Sequence, residues 1–140
     1  MKALASVSAA RLVPLLFALG RRMKLELARE DFRALSWLHL ETLRFIEEAK
    51  QPPMSDIAGY LRVAAPTATT LVESLVRDGY VARSSDAEDR RRVLLSLTRK
   101  GSECLKEATV KRDRAFRRVV APLSAHDRAE FARILSIITS

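Results

Sequence analysis

The chain has 140 residues, of which 48% are hydrophobic, so it is long enough for a single domain with a substantial apolar core. Its 25 lysine and arginine residues exceed its 17 aspartate and glutamate residues, and the net charge of +8 favours a polyanionic partner. The single cysteine, Cys104, excludes an internal disulfide framework and indicates a reducing, cytoplasmic location, and no apolar run is long enough to cross a bilayer.

Residues 1–30 are predicted to contain an N-terminal helix that mediates association with another polypeptide. The apolar residues of this segment recur at the spacing of one helix face: Leu12, Leu15, Leu16, Leu19 and Met23. Since a proline deep in a helix costs about 3 kcal/mol, Pro14 predicts that the helix begins between residues 11 and 13. Lys2 and Arg11 ahead of an apolar run would also suit a signal peptide, but the basic segment 21–24 continues the helical pattern and favours an interaction helix.

The middle of the chain reads as three helices in succession. The first covers residues 31–48 and is ended by residues 51–53, and its predicted buried face consists of Leu35, Leu38, Thr42, Leu43 and Ile46. A short helix follows over residues 55–61, with Ile57, Ala58 and Leu61 directed inward. After a tight connection, Pro66 opens a helix that runs to Asp78 and ends at Gly79. Two short helices separated by a brief turn are typical of a helix-turn-helix.

The second helix of this motif has two distinct faces. Its apolar face consists of Ala68, Leu71, Val72 and Leu75, and its polar face consists of Pro66, Thr69, Thr70, Glu73, Ser74 and Arg77, with Thr67 at the border. A helix laid into a major groove would bring such hydroxyl and backbone N–H groups to phosphates and base edges. The alternative is an ordinary amphipathic surface helix, although threonines are poor helix formers at exposed positions.

A β-hairpin is predicted directly after this helix. Residues 80–83 form its first strand, and the alternation of Val93, Leu95 and Leu97 indicates the second. The loop between the strands contains three consecutive arginines within a group of three acids: Asp86, Glu88, Asp89, Arg90, Arg91 and Arg92. The acids could simply neutralise the arginines, or the arginines could project from the hairpin toward an anion. The order of elements predicts a mainly α fold with a small hairpin, which is a winged helix-turn-helix.

The C-terminal 40 residues are predicted to form two further helices. The first covers residues 102–121 and has both an apolar stripe and several basic residues, which are more often solvated than bound to nucleic acid. Ser124 and Asp127 begin the last helix, whose apolar surface exceeds what one terminal helix needs: Phe131, Ile134, Leu135, Ile137 and Ile138. This surplus predicts a homodimer, although packing within one chain is the alternative.

No residue pattern favours catalysis, a metal site or a cofactor. His39 and His126 have no cysteine or acid at metal-ligand spacing, so both are expected to be structural. The sequence also lacks a nucleophile–base pair, which argues against an enzyme. Two classes stay open, namely a DNA-binding regulator and a winged-helix module that binds proteins only, and the arginine tip favours the first.

Several stretches together resemble the MarR family of winged-helix transcriptional regulators. The most specific is the wing, Asp86-Ala87-Glu88-Asp89-Arg90-Arg91, followed by Leu95-Ser96-Leu97-Thr98 and Gly101. Segments 54–61, 66–75 and 78–81 add to the resemblance, which covers residues 30–140. The chain departs from the family at Ala64, where serine is frequent, and at Thr70, where arginine is frequent, so the resemblance shifts weight from the helix to the wing.

The resemblance implies a homodimer that binds a palindromic operator in double-stranded DNA. Residues 1–30 and 101–140 would supply dimerisation helices, and residues 31–100 would form the DNA-binding lobe, all within one structural domain. In this lobe Arg91 would enter the minor groove, Asp89 and Arg90 would brace the loop, and Arg92 would reach phosphate or stack along the strand. The expected DNA-binding residues are Pro66, Thr67, Thr69, Thr70, Ser74, Arg77, Asp89, Arg90, Arg91 and Arg92.

The resemblance also implies a pocket for a small aromatic or anionic effector. Its walls would come from the first two helices and the start of the long helix. Trp37 and His39 lie in the second helix and are the candidate ligand-binding residues, although Trp37 could equally belong to the core.

Overall fold

The computed structural model describes residues 7–32 and 35–140. Their elements are α1 (Ala9–Leu27), α2 (Trp37–Ala49), α3 (Ser55–Leu61), α4 (Ala65–Arg77), β1 (Val81–Ser85), β2 (Val93–Leu97), α5 (Arg99–Val120) and α6 (Ala125–Thr139). The predicted class, a mainly α winged helix-turn-helix with one small hairpin, is confirmed. Within this part of the chain, no helix has both the length and the apolar character needed to span a membrane. Lys2, which entered the signal-peptide alternative, lies outside the described residues.

The chain folds as two compact units. One unit, Phe32–Val110, contains α2, α3, α4, the hairpin and the first part of α5. The other contains α1, the remainder of α5 and α6. The predicted lobe boundary at residue 101 lies within α5, which continues through this position as one helix.

The core of the Phe32–Val110 unit is built largely from the apolar faces that the sequence pattern indicated. Leu38 is an exception, since it was placed on the buried face of α2 but is 37% exposed, while Leu40 is buried instead. Its largest fully buried side chains are Leu43 and Ile46 from α2, Ile57 from α3, Val72 and Leu75 from α4, and Leu95 from β2. Thr42 is also buried, and its hydroxyl donates to the carbonyl of Leu38 at 2.7 Å. Cys104 of α5 belongs to the same core and is only 5% exposed.

The hairpin is antiparallel and extends from the pair Val81 and Leu97 to the pair Ser85 and Val93. A third segment, which the sequence analysis did not predict, pairs with the free edge of β2. The N–H of Met54 donates to the carbonyl of Val93 at 2.8 Å, and the N–H of Leu95 donates to the carbonyl of Pro52 at 2.9 Å. Two consecutive prolines argue against a strand because a proline has no N–H. This pairing needs none from them, since it uses the carbonyl of Pro52 and the N–H of Met54.

Three helix starts differ from the predictions. Helix α5 begins at Arg99 rather than at residue 102, directly after Thr98. Helix α1 begins at Ala9, so that Pro14 lies inside it and removes one backbone hydrogen-bond donor from the second turn. Helix α2 begins at Trp37 rather than at residue 31, because Ser36 adopts an extended conformation and its hydroxyl accepts the N–H of His39. Of the predicted helical segment before Trp37, residues 33 and 34 lie outside the described residues and the others are not helical.

A Schellman motif ends α4 at Gly79, the position at which the sequence predicted that the helix would end. Gly79 has a positive φ of 84°, a conformation that is strained for residues with a side chain. The N–H of Tyr80 donates to the carbonyl of Leu75 at 2.9 Å, and the N–H of Gly79 donates to that of Val76 at 3.1 Å. The chain therefore leaves the helix directly into β1.

Thr98 joins the end of α4 to the start of α5. Its N–H donates to the carbonyl of Tyr80 at 3.1 Å, and its hydroxyl donates to the carbonyl of Gly79 at 2.5 Å. The same hydroxyl oxygen accepts the N–H of Gly101 at 3.0 Å, so Thr98 caps the first turn of α5. The side chain and the backbone N–H of Thr98 together thus bind Gly79, Tyr80 and Gly101.

Gly101 is required at this joint because the first turn of α5 lies against the backbone of Tyr80. A Cβ atom at residue 101 would lie 2.0 Å from the carbonyl oxygen of Tyr80 and 3.0 Å from its carbonyl carbon. This close approach gives a physical reason for the Leu-Thr-x-x-Gly pattern that follows the wing.

The Gly101→Ala substitution should destabilise the fold by about 1 to 3 kcal/mol, because the clash is with backbone and no side chain can move aside. Gly59→Ala is the matched control, since a Cβ at that helical position meets nothing within 4 Å. The control should be neutral or more stable by about 0.5 to 1 kcal/mol. Urea unfolding followed by circular dichroism measures both, and equal midpoints for the two variants would contradict the steric argument.

In the other unit, ion pairs connect the end of α1 to α5. Arg118 binds two carboxylates, with Nε 2.7 Å from Glu26 Oε2 and Nη1 3.1 Å from Glu30 Oε1. Arg114 also pairs with Glu30, at 3.2 Å. The hydrogen bond from Arg118 is the main reason that the pKa of Glu26 lies below its usual value, although desolvation acts in the opposite direction. Two basic residues of α5, Arg114 and Arg118, therefore form ion pairs with acids of the same chain.

Candidate nucleic-acid interface

The polar face of α4 is exposed except at one predicted position. Pro66, Thr67, Thr69, Thr70 and Arg77 are all exposed, whereas Ser74 is half-buried. The inner face is buried, with Val72 fully excluded from solvent. The structure thus presents most of the predicted contact residues of this helix on one accessible surface.

Two threonine hydroxyls on this face are already hydrogen-bonded. Thr69 donates to the carbonyl of Ala65 and Thr70 donates to that of Pro66, each at 3.0 Å. The hydroxyl oxygens keep their lone pairs, so both side chains act outward as acceptors. At the start of the helix, Ala64 supplies no side-chain cap, which leaves first-turn N–H groups without an acceptor from that residue.

Acidic side chains hold the wing loop through its backbone. Asp86 Oδ1 accepts the N–H of Glu88 and Asp89 Oδ1 accepts the N–H of Arg91, both at 3.0 Å. The N–H of Arg92 donates to the carbonyl of Asp89 at 3.0 Å, and Arg92 returns its own carbonyl to the N–H of Asp86. These bonds fix a compact tip, because each acid satisfies an amide that would otherwise face only water.

The wing carboxylates form few ion pairs with the wing arginines. Arg92 lies 3.8 Å from Asp86, with its side chain half exposed. Within residues 7–32 and 35–140, no hydrogen bond or ion pair engages the side chain of Arg90 or Arg91. The alternative that the loop acids simply neutralise the arginines is therefore consistent with Arg92 only. Asp89 has the bracing position expected of it, whereas the side chain of Arg90 makes no bracing contact.

Ser74 faces α2 rather than the exposed surface of α4. His39 Nε2 lies 3.0 Å from Ser74 Oγ, and Ser74 Oγ in turn donates to the carbonyl of Leu71 at 2.8 Å. His39 Nδ1 accepts the N–H of Ser36 at 3.2 Å, which places the imidazole proton on Nε2 as the donor to Ser74. The neutral histidine therefore completes the capping box of α2 and links this helix to α4. Sequence spacing could not show this contact, because 35 residues separate the two side chains.

The two candidate ligand-binding residues differ in their surroundings. Trp37 is 61% exposed, so the interpretation that it belongs to the core is wrong. A helix start places it on the surface, ahead of the first buried residue of α2. His39 lines an open cleft of about 450 Å³ together with Leu35, Ser74, Arg77, Asp78, Tyr80 and Lys100. Trp37 is not among the residues that line this cleft.

The His39 network should make stability depend on pH. Desolvation lowers the pKa of His39 below 6.5, although Asp78 acts in the opposite direction. A depressed histidine pKa means that the unfolded chain binds the proton more readily, so stability is present above about pH 6.5 and is lost as pH falls through the folded-state pKa. His39→Gln should remove this part of the pH dependence, because glutamine can complete the capping box without titrating.

Urea unfolding between pH 5 and pH 8 (about the range in which histidine titrates) measures the effect. His126→Gln is the control, since His126 lies on α6 outside the network. Identical pH profiles for the wild type and His39→Gln would contradict the assignment.

Known proteins resemble this chain in sequence and in fold. Residues 35–93 match the model of the MarR family. The homoprotocatechuate degradative operon repressor of Escherichia coli is 25% identical over 93 residues, which are 66% of this chain and 63% of that repressor. The chain thus spans less than two thirds of this relative. The apo structure of wild-type MarR from E. coli has a TM-score of 0.78 at 19% identity, over 96% of this chain and 98% of that one. A MepR mutant from S. aureus, bound to an oligodeoxyribonucleotide, has a TM-score of 0.64 at 20% identity, over 96% and 97%.

The exposed α4 surface beside a cationic hairpin defines the class of this molecule as a winged helix-turn-helix protein. The family match extends from the start of the helical lobe to the second strand of the wing, and the solved MarR structure shares the fold over nearly the whole chain. Residues 35–93 thus resemble the MarR family, and the chain has the fold of the solved MarR structure.

Proposed function

We propose that the protein is a sequence-specific regulator of transcription that binds double-stranded DNA as a homodimer at a palindromic operator. The observation that carries the proposal is the wing tip, where Arg90 and Arg91 are exposed and the carboxylates of Asp86 and Asp89 accept backbone amides of the loop. Related proteins support it, since one is an operon repressor and another was solved with an oligodeoxyribonucleotide. Such a protein acts by binding rather than by catalysis, in the cytoplasm where it meets the chromosome.

In this proposal the two exposed features of the lobe contact neighbouring grooves. Helix α4 lies in the major groove, where Thr67, Thr69 and Thr70 approach base edges. Arg91 enters the adjacent minor groove, where narrow A·T-rich stretches concentrate negative potential. Arg77, at the far end of α4, contacts phosphate. Ser74 lies 3.0 Å from His39 Nε2, which supports a role in holding α4 against α2 rather than in contacting DNA.

The homodimer is proposed from the apolar surface of the terminal helices. Several large apolar side chains on α1 and α6 are exposed in the single chain: Leu12, Val13, Leu15, Leu16, Phe17, Ile134, Leu135, Ile137 and Ile138. A monomer seldom exposes so many large apolar side chains on two helices, and a second copy would cover them. Two-fold symmetry then matches a palindrome, with one lobe on each half-site.

Modulation by a small aromatic or anionic effector forms part of the proposal. A molecule in the cleft beside His39 would also meet Ser74 and Arg77 of α4. A ligand can alter operator affinity only if it binds the DNA-competent and incompetent dimers with different affinity, and a tenfold change needs about 1.4 kcal/mol of difference.

The Arg91→Ala substitution tests the wing. It should weaken binding to an operator selected from a random duplex pool by about 1 to 3 kcal/mol while the protein stays folded, because the minor-groove contact is lost. Arg77→Ala should cost less and mainly reduce the salt dependence. Arg128→Ala, on α6, removes the same charge outside the lobe and is the control. Fluorescence anisotropy gives the affinities, and equal affinity of the wild type and Arg91→Ala would remove the wing from the interface.

The Ile138→Glu substitution tests the dimer. The side chain is 70% exposed, so a charge there should leave the folded chain intact. In a dimer the same charge would be buried without a partner, which costs several kcal/mol and should yield monomers that bind the palindrome weakly. Sedimentation velocity measures the assembly, with Glu130→Gln, also on α6, as a conservative control. A dimer of unchanged strength would exclude this part of α6 from the interface.

A further inference from the structure

The polar face of α4 contains one side chain that the expected DNA contacts do not include. Glu73 is exposed near the middle of this face, one turn from both Thr69 and Thr70. Among the described residues its carboxylate has no ion-pair or hydrogen-bond partner, and Arg77 pairs instead with Asp78 at 3.5 Å. An unpaired carboxylate on a surface that meets DNA is repelled by phosphates, so it needs a compensating donor.

The two threonines beside Glu73 present the same chemistry. Their hydroxyl hydrogens are directed to the carbonyls of Ala65 and Pro66, which leaves oxygen lone pairs facing outward. The middle of α4 therefore presents acceptors only. Guanine offers two acceptors in the major groove and thymine offers an acceptor and a methyl group, so neither supplies the donor that these groups require.

We propose that Glu73 accepts a hydrogen bond from the N4 amino group of a cytosine in the major groove, with Thr70 as a supporting acceptor. This inference rests on the proposed DNA-binding function and names the base class that α4 reads. Cytosine N4 and adenine N6 are the major-groove donors, but adenine places its N7 acceptor beside the amino group, where it would repel a carboxylate. Cytosine has no such acceptor, which makes Glu73 a determinant of specificity for a C·G pair.

The test compares duplexes that the full-length wild type and Glu73→Gln select from a random pool. At one position in each half-site, the wild type should select C·G and the variant should select A·T, because glutamine binds adenine N6 and N7 together. On the wild-type operator, changing this pair to T·A should weaken the wild type roughly tenfold and the variant much less. Thr70→Val should reduce the discrimination to a smaller extent, and Thr70→Ser should retain it.

Glu48→Gln is the matched control, because it removes the same charge from an exposed position on α2, outside the face in question. It should select the same duplexes as the wild type. The inference is overturned if wild type and Glu73→Gln prefer the same pair at every position. It is also overturned if Glu73→Gln binds all duplexes more tightly by one common factor, since Glu73 would then act only as a repulsive charge. If the wild type binds no duplex, the DNA-binding function fails as well, which distinguishes that result from a lost preference.

Discussion

The hydrogen bonds of Thr98 are the interaction on which the winged-helix lobe depends. Through its hydroxyl and its N–H, this residue holds Gly79 and Tyr80, which connect α4 to β1, and the first turn of α5. The arrangement works only because Gly101 lets α5 approach the carbonyl of Tyr80 without a Cβ. The end of α4 and the start of α5 are thus held together by hydrogen bonds to backbone groups and by a close approach of two backbone segments, which is less adaptable than side-chain packing.

Charge in this lobe is arranged so that cations stay available. Asp86 and Asp89 accept hydrogen bonds from amides of their own loop, which stabilises the tip. Neither carboxylate forms an ion pair with Arg90 or Arg91. Arg114 and Arg118 of α5, in contrast, form ion pairs with Glu26 and Glu30. The same excess of positive charge therefore serves two purposes, and the position of nearby carboxylates separates them.

Much of the lobe followed from local sequence signals. Helix α3 has the predicted bounds, Gly79 ends α4 in the left-handed conformation, and the alternation of apolar residues predicted β2. The capping box of Ser124 and Asp127 starts α6 where the pattern placed it. Each of these features depends on groups within a few residues of one another, so the sequence contains the relevant chemistry directly. The exposed polar face of α4 follows from the same periodicity, except at Ser74.

Features that depend on distant residues were decided only by the tertiary structure. The sequence by itself determined the order of elements, the apolar faces and the composition of the wing, because helix and strand periods are local properties. It could not determine that Pro52–Met54 pairs with β2, that His39 binds Ser74, or that Gly101 contacts Tyr80. It also could not place Trp37 on the surface, since a helix-period pattern continued through the residues before Ser36 and only the cap showed where α2 begins. Such contacts arise when elements pack, and packing brings together groups that sequence spacing does not relate.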